Sequence, residues 1–207
     1  HKDQLYFSLF RPSNTDRWPG NLKRYRMGIQ NGSPLILDQD GTPAIDANSG
    51  FFRSSARSWW PSGNDGSNVV LGGAANQLPS PTSRNLWTNI NGDTTLNRIE
   101  TLTAAQTGFG TNHNNWINYI RGYETGTTTA RNALGDPIHA TPTVVTYQCT
   151  GTVDSYGNCS SEKQSVIVGT NEGFVQMFNT NTGAEQFAFM PWELRNNIGR
   201  LAANASN

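Results

Sequence analysis

The stretch VIVGTNEGFVQMFNTNTGAEQFAFMP, residues Val166–Pro191, alternates two kinds of segment. Runs of β-branched, aromatic and aliphatic residues are separated by Thr-Asn-Glu-Gly and Asn-Thr-Gly, which are typical turn sequences. With the run Thr143–Tyr147 before it, the stretch supplies four short strands within residues 141–191. This spacing predicts a complete four-stranded antiparallel unit, of the kind that forms one blade of a β-propeller.

A similar plan occurs near the N-terminus. GNLKRYRMGIQNGSPLILD, residues 20–38, follows the order glycine, alternating strand, polar glycine turn and second strand, as residues 173–190 do. The apolar run Leu5–Phe10 adds another strand, so residues 1–50 predict a partial blade. Because a propeller needs roughly 4–8 blades that pack on one another, the 207 residues predict a fragment of one propeller domain.

The segments between and after these units have a different character. Residues 51–93 predict irregular structure with β segments, among them a short buried strand at VVLGGAA, residues 69–75. Residues 94–122 carry apolar side chains at helical spacing in TLNRIETLTAAQ (95–106) and NHNNWINYIRG (112–122), and they predict a small α-helical insert. Residues 192–207 predict a short helix or an ordered exit segment.

Charge and hydropathy exclude two classes of partner. The 15 basic and 15 acidic residues cancel, which gives no electrostatic reason to expect nucleic acid or an anionic membrane. The basic run of Lys23, Arg24 and Arg26 alternates across the two faces of one strand, so it predicts no nucleic-acid patch. No apolar run approaches the ~18 residues of a membrane-spanning helix, so no membrane span is expected.

A set of motifs resembles a known family. GTNEGFVQMFNTNTGAEQFAFMPWEL, residues 169–194, resembles the blade repeat of quinoprotein-like propellers. Other stretches, in the same order along the chain, are similar to the C-terminal propeller of the PilY-type (PilC-like) type IV pilus adhesin and biogenesis proteins. They are LYFSLFRPSNTDRWPGNLKRY (5–25), DQDGTPAID (38–46), GFFRSSARSWW (50–60), DGSNVVLGGAA (65–75), WINYIRG (116–122) and LGDPIHATPTVV (134–145).

The resemblance implies a mainly β fold, a partial quinoprotein-like β-propeller of four-stranded antiparallel blades with a small α-helical insert. It implies a non-enzymatic module at the type IV pilus tip of a Gram-negative bacterium, exported to the periplasm, outer membrane or cell surface. Its partners would be the remainder of the propeller, minor pilins, and a host or abiotic surface. The function implied is pilus assembly and adhesion.

Two alternatives share the blade repeat. One is a carbohydrate-binding propeller that uses its tryptophans. The other is a fragment of a quinone-dependent dehydrogenase, although the neighbouring cysteine pair often found in that class does not occur in this sequence. No catalytic residue is predicted. A Ser-His-Asp triad with His139 and Asp136 would need a nucleophilic serine in a Gly-x-Ser-x-Gly sequence, and this sequence does not occur in the chain.

The two cysteines, Cys149 and Cys159, are separated by nine residues that include glycine and asparagine. Such an interval permits the chain reversal that a disulfide at the tip of a β-hairpin needs. Two free thiols are the alternative. The exported location implied by the resemblance favours the bridge, because disulfides persist in oxidising compartments.

Three aspartates surround a glycine turn in DQDGTPAID, namely Asp38, Asp40 and Asp46. Carboxylates grouped in this way could bind Ca²⁺, which prefers several oxygen ligands, and no other cofactor is expected. The glycine comes too early for an EF-hand loop. The alternative is a β-turn in which Asp38 and Asp40 accept hydrogen bonds from nearby backbone N–H groups.

Two adjacent tryptophans, Trp59 and Trp60, are the candidate recognition residues, because exposed aromatic surface often marks a binding site. The alternative is that their rings pack between sheets, since each aromatic side chain can bury roughly 150–250 Å².

Overall fold

The computed structural model describes residues 3–60 and 63–206. The sequence PSGNDGSN, residues 61–68, predicts a cluster of turns, and its first two residues lie outside the described residues. The fold is mainly β, as expected, with two sheets in the described part of the chain. The first sheet consists of β1 (Gln4–Phe10), β2 (Gly20–Gln30) and β3 (Ser33–Leu37), paired antiparallel in chain order. Asn31 and Gly32 join β2 to β3 with positive φ angles of 51° and 77°, the geometry that tight hairpin turns require.

The second sheet has six strands in the order β5-β4-β9-β8-β7-β6. Its members are β4 (Leu86–Thr88), β5 (Asn97–Arg98), β6 (Thr143–Cys149), β7 (Glu162–Gly169), β8 (Val175–Asn179) and β9 (Glu185–Met190).

Strands β6 to β9 pair antiparallel in chain order, as the sequence predicted for residues 141–191. The sheet does not stop at four strands, however. Strand β4 pairs parallel with β9, with Leu86 opposite Ala188, and β5 extends the sheet further. The antiparallel unit therefore forms one side of a larger sheet, with β6 at its edge, and the two sheets form no closed barrel in the described part of the chain.

Three α-helices accompany the sheets in the described residues: α1 (Ala104–Thr107), α2 (His113–Arg121) and α3 (Ile198–Ala203). The first two lie within residues 94–122, where helical structure was expected. The helix predicted over residues 95–106 is reduced to α1. Thr103 and Gln106 form a capping box that starts α1 late, and Gly108, with φ 72°, ends it after one turn.

The buried strand predicted at VVLGGAA is wrong. This segment forms turns that lead into a 3-10 helix, Ala74–Gln77. The Asn21 side-chain amide donates to the carbonyl oxygens of Val69, Leu71 and Gly72 at 2.8, 3.3 and 3.0 Å. These backbone groups are satisfied by a side chain, so they do not need a neighbouring strand.

One buried cluster spans both sheets and includes Leu22 of the first sheet together with Val166, Val168 and Phe178 of the second. Trp60 and Arg24 add polar contacts between the sheets. The Trp60 Nε1 and an Arg24 Nη1 donate to the Thr180 carbonyl at 3.0 and 2.7 Å. The Trp60 ring lies over Gly183, where a Cβ atom would come within 2.5 Å of it.

A matched pair of glycine substitutions tests this inter-sheet contact. Gly183 and Gly108 both have φ 72°, but a Cβ atom at Gly108 would meet nothing within 4 Å. We expect Gly108→Ala to lower the free energy of unfolding by about 1–2 kcal/mol, the strain of the left-handed conformation. Gly183→Ala should lose a further ~1–3 kcal/mol from overpacking against Trp60. Urea denaturation of both variants measures the difference, and equal losses would show that the Trp60 contact is loose.

Candidate functional site

The six-stranded sheet has two apolar faces, because apolar residues occupy both sets of alternating positions in β4, β8 and β9. The inner face is buried against α2, α3 and their neighbours. It includes Leu86, Ala188 and Met190, which are at most 2 % exposed. This face forms the ordinary core of the protein.

The opposite side, which we call the outer face, has a different environment. In register across the strands, Trp87 lies opposite Phe189 and Phe189 opposite Val175, and the next row pairs Phe187 with Met177 and Met177 with Ile167. Paired residues in a sheet project to the same side. The outer face is therefore an apolar surface made of Trp87, Ile167, Val175, Met177, Phe187 and Phe189.

The outer face is only partly covered. Val175 is 38 % exposed, and the other five side chains are half-buried. At the β4–β9 end lies an open pocket of about 400 Å³, lined by Trp87, Phe187, Phe189, Asn85 and the 55 % exposed Leu96. A large exposed apolar patch on a sheet usually marks a surface that another protein element covers.

The polar residues between the sheet and the helices form buried ion pairs. Arg84 binds Glu185 through two parallel hydrogen bonds of 2.7 Å, and both side chains are at most 2 % exposed. The Gln176 amide donates to the same carboxylate at 2.8 Å. The remaining Arg84 nitrogen donates to the carbonyl oxygens of Ile120 and Arg121 at 3.3 Å, so this pair fixes the C-terminal end of α2 on the sheet.

A second buried pair joins Arg131 to Glu172 at 3.0 and 2.7 Å. The Tyr119 hydroxyl donates to Glu172 at 3.1 Å, and the Arg131 guanidinium lies 4.2 Å from the centre of the Tyr119 ring. Burial raises the pKa of Tyr119, and the Glu172 charge adds to this effect. Burial also raises the pKa of the Asp136 carboxyl, which accepts a 2.6 Å hydrogen bond from Asn171.

The basic run of the sequence is not a surface feature, since Lys23 is fully buried. Its ammonium donates to the carbonyl oxygens of Asp65, Gly66 and Asn68 at 2.8–2.9 Å and lies 3.0 Å from the Asp65 carboxylate. Asp65 also accepts two 2.7 Å hydrogen bonds from Ser58. Burial lowers the pKa of Lys23, and the Asp65 charge opposes this.

The three candidate calcium ligands have separate partners. Asp38 accepts hydrogen bonds from the N–H groups of Asp40 and Thr42, Asp40 pairs with Arg57, and Asp46 accepts from Asn48 and Ser49. The hydrogen bonds from Ser49 and Asn48 lower the pKa of Asp46. Among residues 3–60 and 63–206, no three His, Cys, Asp or Glu side chains group closely enough to hold a metal ion. The turn alternative therefore describes Asp38, and the structure does not bring the three carboxylates together.

The two candidate tryptophans have different environments. Trp60 packs in the contact between the sheets described above, with a positive φ of 88°. Trp59 is half-buried, and the guanidinium groups of Arg24 and Arg26 lie 4.9 and 5.9 Å from its ring centre. Trp60 therefore packs between the sheets, as the alternative to a recognition role predicted.

The two cysteines form a disulfide, Cys149–Cys159, with Cα atoms 5.8 Å apart. It closes the tip of the β6–β7 hairpin, where the sequence predicted it.

The outer face and the buried ion pairs were not predicted from the sequence. The signal for the outer face is the alternation in β9, where Phe187 and Phe189 flank Ala188. With both sets of positions apolar, the pattern indicates a strand that is buried on both sides. Nothing in the sequence pairs Arg84 with Glu185 or Arg131 with Glu172, since 101 and 41 residues separate them.

Comparison with known proteins confirms the predicted resemblance to the PilY-type class of type IV pilus proteins. The chain is 28 % identical over 211 residues to the type IV pilus biogenesis factor PilY1 of Pseudomonas aeruginosa (strain UCBPP-PA14). This similarity covers 89 % of the chain and 16 % of PilY1, so the chain corresponds to a small part of that relative. No family model matches the chain, and no solved structure matches it significantly. No helix in the described residues is long and apolar enough to cross a membrane.

The buried pair Arg84–Glu185 has a measurable role in stability. Glu185→Gln leaves the buried guanidinium without a counter-charge, so we expect the free energy of unfolding to fall by roughly 3–5 kcal/mol. Asp40→Asn is the matched control, because Asp40 is 53 % exposed in its pair with Arg57 and should contribute at most about 1 kcal/mol. Chemical denaturation of both variants measures the two losses. Similar losses would contradict a structural role for the buried pair.

Buried tyrosines predict alkaline sensitivity. Burial raises the pKa of Tyr25 and Tyr119 above the usual tyrosine value and raises that of Tyr6 to about 12. Above pH ~10 the unfolded chain releases these protons while the folded chain keeps them, so stability present below pH ~10 is lost as the pH rises towards the folded-state pKa. We expect Tyr25→Phe to make this decline shallower in unfolding titrations above pH ~10. An unchanged slope would show that Tyr25 does not contribute.

Proposed function

We propose that this chain is a non-enzymatic module of a larger exported protein of type IV pilus biogenesis, and that the outer face packs against another β-sheet of the same protein. One observation carries the proposal. A sheet whose inner face is packed along β4, β7, β8 and β9 presents a second apolar face, in a chain whose similarity to PilY1 covers 16 % of that protein.

The chemistry of the outer face fits a sheet as its occupant. Its six side chains carry no charge, and they form two rows across neighbouring strands. Two sheets pack face to face at about 10 Å by interdigitating such rows. Each Å² of apolar surface removed from water contributes roughly 25 cal/mol, so covering Trp87, Phe187 and Phe189 stabilises both partners. In a β-propeller each blade covers the face of the next, and this supports the partial quinoprotein-like propeller as the architecture.

The buried charges support a structural role for the polar residues. Glu185, Glu172 and Asp65 are each paired with a buried cation, and their hydrogen bonds hold α2 and the loops on the sheets. The disulfide favours an oxidising compartment, in line with export. Within this proposal the module lies at the pilus tip or cell surface of a Gram-negative bacterium. It takes part in pilus assembly and in attachment to host cells or abiotic surfaces, with minor pilins as partners.

Site-specific crosslinking in the full-length protein tests the outer face. A photoreactive amino acid in place of Phe189 should crosslink within the protein to a segment outside these 207 residues, because that side chain would lie inside a sheet–sheet contact. The same group in place of Asn181 is the matched control, since Asn181 lies in the exposed β8–β9 turn of the same sheet. Mass spectrometry of the digested product identifies the crosslinked segments.

A crosslink from Phe189 to a second molecule, or none above the Asn181 level, would overturn the proposed packing. A functional readout separates packing from pilus biogenesis. Phe189→Lys should reduce the amount of intact full-length protein and the number of surface pili together, whereas Asn181→Lys should leave both unchanged. If loss of the full-length protein leaves the number of pili and surface attachment unchanged, the assigned function itself is wrong.

A further inference from the structure

The tip of the β6–β7 hairpin forms a closed surface loop of residues 149–159, which we call the disulfide loop. Every residue from Gly151 to Asn158 is exposed. The bridge therefore does not hold a buried core in place. Its effect is on the loop itself, because the crosslink restricts the conformations that residues 150–158 can adopt.

Backbone hydrogen bonds across the loop add to this order. The Thr150 and Gly151 N–H groups donate to the Ser161 carbonyl at 2.8 and 3.1 Å, and the Ser160 N–H donates to the Thr152 carbonyl at 2.9 Å. Closer to the tip, the Asp154 N–H donates to the Asn158 carbonyl at 2.9 Å. The hairpin thus continues as a paired ribbon beyond the disulfide to the last turn.

The last turn is built around the Asp154 carboxylate. Its Oδ1 accepts hydrogen bonds from the N–H groups of Tyr156 and Asn158 at 2.9 and 2.8 Å, and the Asn158 amide donates to Oδ2 at 3.0 Å. Gly157 supplies the positive φ of 81° that the turn requires. This arrangement fixes the backbone of Tyr156 while its side chain stays 88 % exposed.

An ordered loop that projects an aromatic ring into solvent fits recognition. Residues 150–158 include one Tyr, one Ser, one Asn and two Gly, which are residue types that antibody binding loops favour, and tyrosine gives a large contact area with little loss of conformational entropy. Ordering before binding improves affinity, because less freedom is lost on association. Val153, 60 % exposed, adds apolar surface to the same tip.

From this geometry we propose that the disulfide loop is a recognition element that inserts Tyr156 into an apolar pocket of a folded protein in the type IV pilus. The loop is convex, so its partner must supply the concavity. A sugar site needs the concavity on the side of the binding protein, which favours a protein as partner. The proposal rests on the function proposed above for the choice of pilus proteins as partners.

Binding to purified pili tests the loop. The probe is intact type IV pili from the source bacterium, immobilised and titrated with the oxidised full-length protein. We expect Tyr156→Ala to weaken binding at least tenfold, as hot-spot tyrosines do. Ser155→Ala, an exposed neighbour in the same loop, should stay within twofold of the wild type. The double variant Cys149→Ser/Cys159→Ser should bind more weakly than the wild type, because its loop loses the crosslink.

The outcomes separate the two proposals. If the wild type and Tyr156→Ala bind pili equally well, the loop assignment is wrong while the pilus assignment stands. If the wild type does not bind pili, the loop assignment is wrong, and the number of pili after loss of the protein decides the pilus assignment separately. Pili pretreated with periodate, which destroys the vicinal diols of sugars, should bind as well as untreated pili. Loss of binding to treated pili would identify a glycan and overturn the choice of a protein partner.

Discussion

The register between β8 and β9 determines much of this structure. It places Ala188 opposite Gln176 on one side of the sheet, and Phe187 and Phe189 opposite Met177 and Val175 on the other. The register shifts between Met177 and Phe178, which places Glu185 on the inner side together with Ala188. From Phe187 to Met190 the side chains alternate, so a shift by one residue there would exchange the two faces. It would bury the bulky aromatic rings where α2 and α3 now pack and turn the small Ala188 outwards. The packed core and the apolar outer face thus follow from one alignment of two strands.

The buried ion pairs are the second constraint, because they fix the segments that connect the strands. The inner face includes Gln176 and Glu185, which a purely apolar core would exclude. These groups are tolerated because Arg84 meets the Glu185 carboxylate with two hydrogen bonds and uses its remaining donors on the end of α2. A buried ion pair adds little net stability compared with apolar residues, but it strongly disfavours arrangements that leave either charge unpaired. The pairs therefore help to specify where the helical segment docks.

Local signals in the sequence predicted a good part of this fold. Turn sequences such as Asn31-Gly32 and the alternation in residues 166–190 gave the strands, and the cysteine spacing allowed the disulfide. The failures have a common cause. At VVLGGAA the apolar run predicted a strand, but the distant Asn21 satisfied its backbone carbonyls. The parallel pairing of β4 with β9 joins residues about a hundred positions apart, and periodicity within a short window carries no information on such contacts.

The candidate sites show the same limit from another side. The three aspartates and two tryptophans are residue types that can bind ligands, but the fold decides whether such groups remain available. The Asp38 carboxylate accepts the hydrogen bonds of a turn, and Trp60 packs in the contact between the sheets. By contrast, the outer face and Tyr156 carry apolar side chains that the described fold leaves uncovered or exposed. Both lie on the six-stranded sheet, Tyr156 at the tip of its β6–β7 hairpin. If one neighbouring sheet covers the outer face, the hairpin tip still extends beyond the packed strands, so the same sheet can join the larger protein and present the loop to a partner.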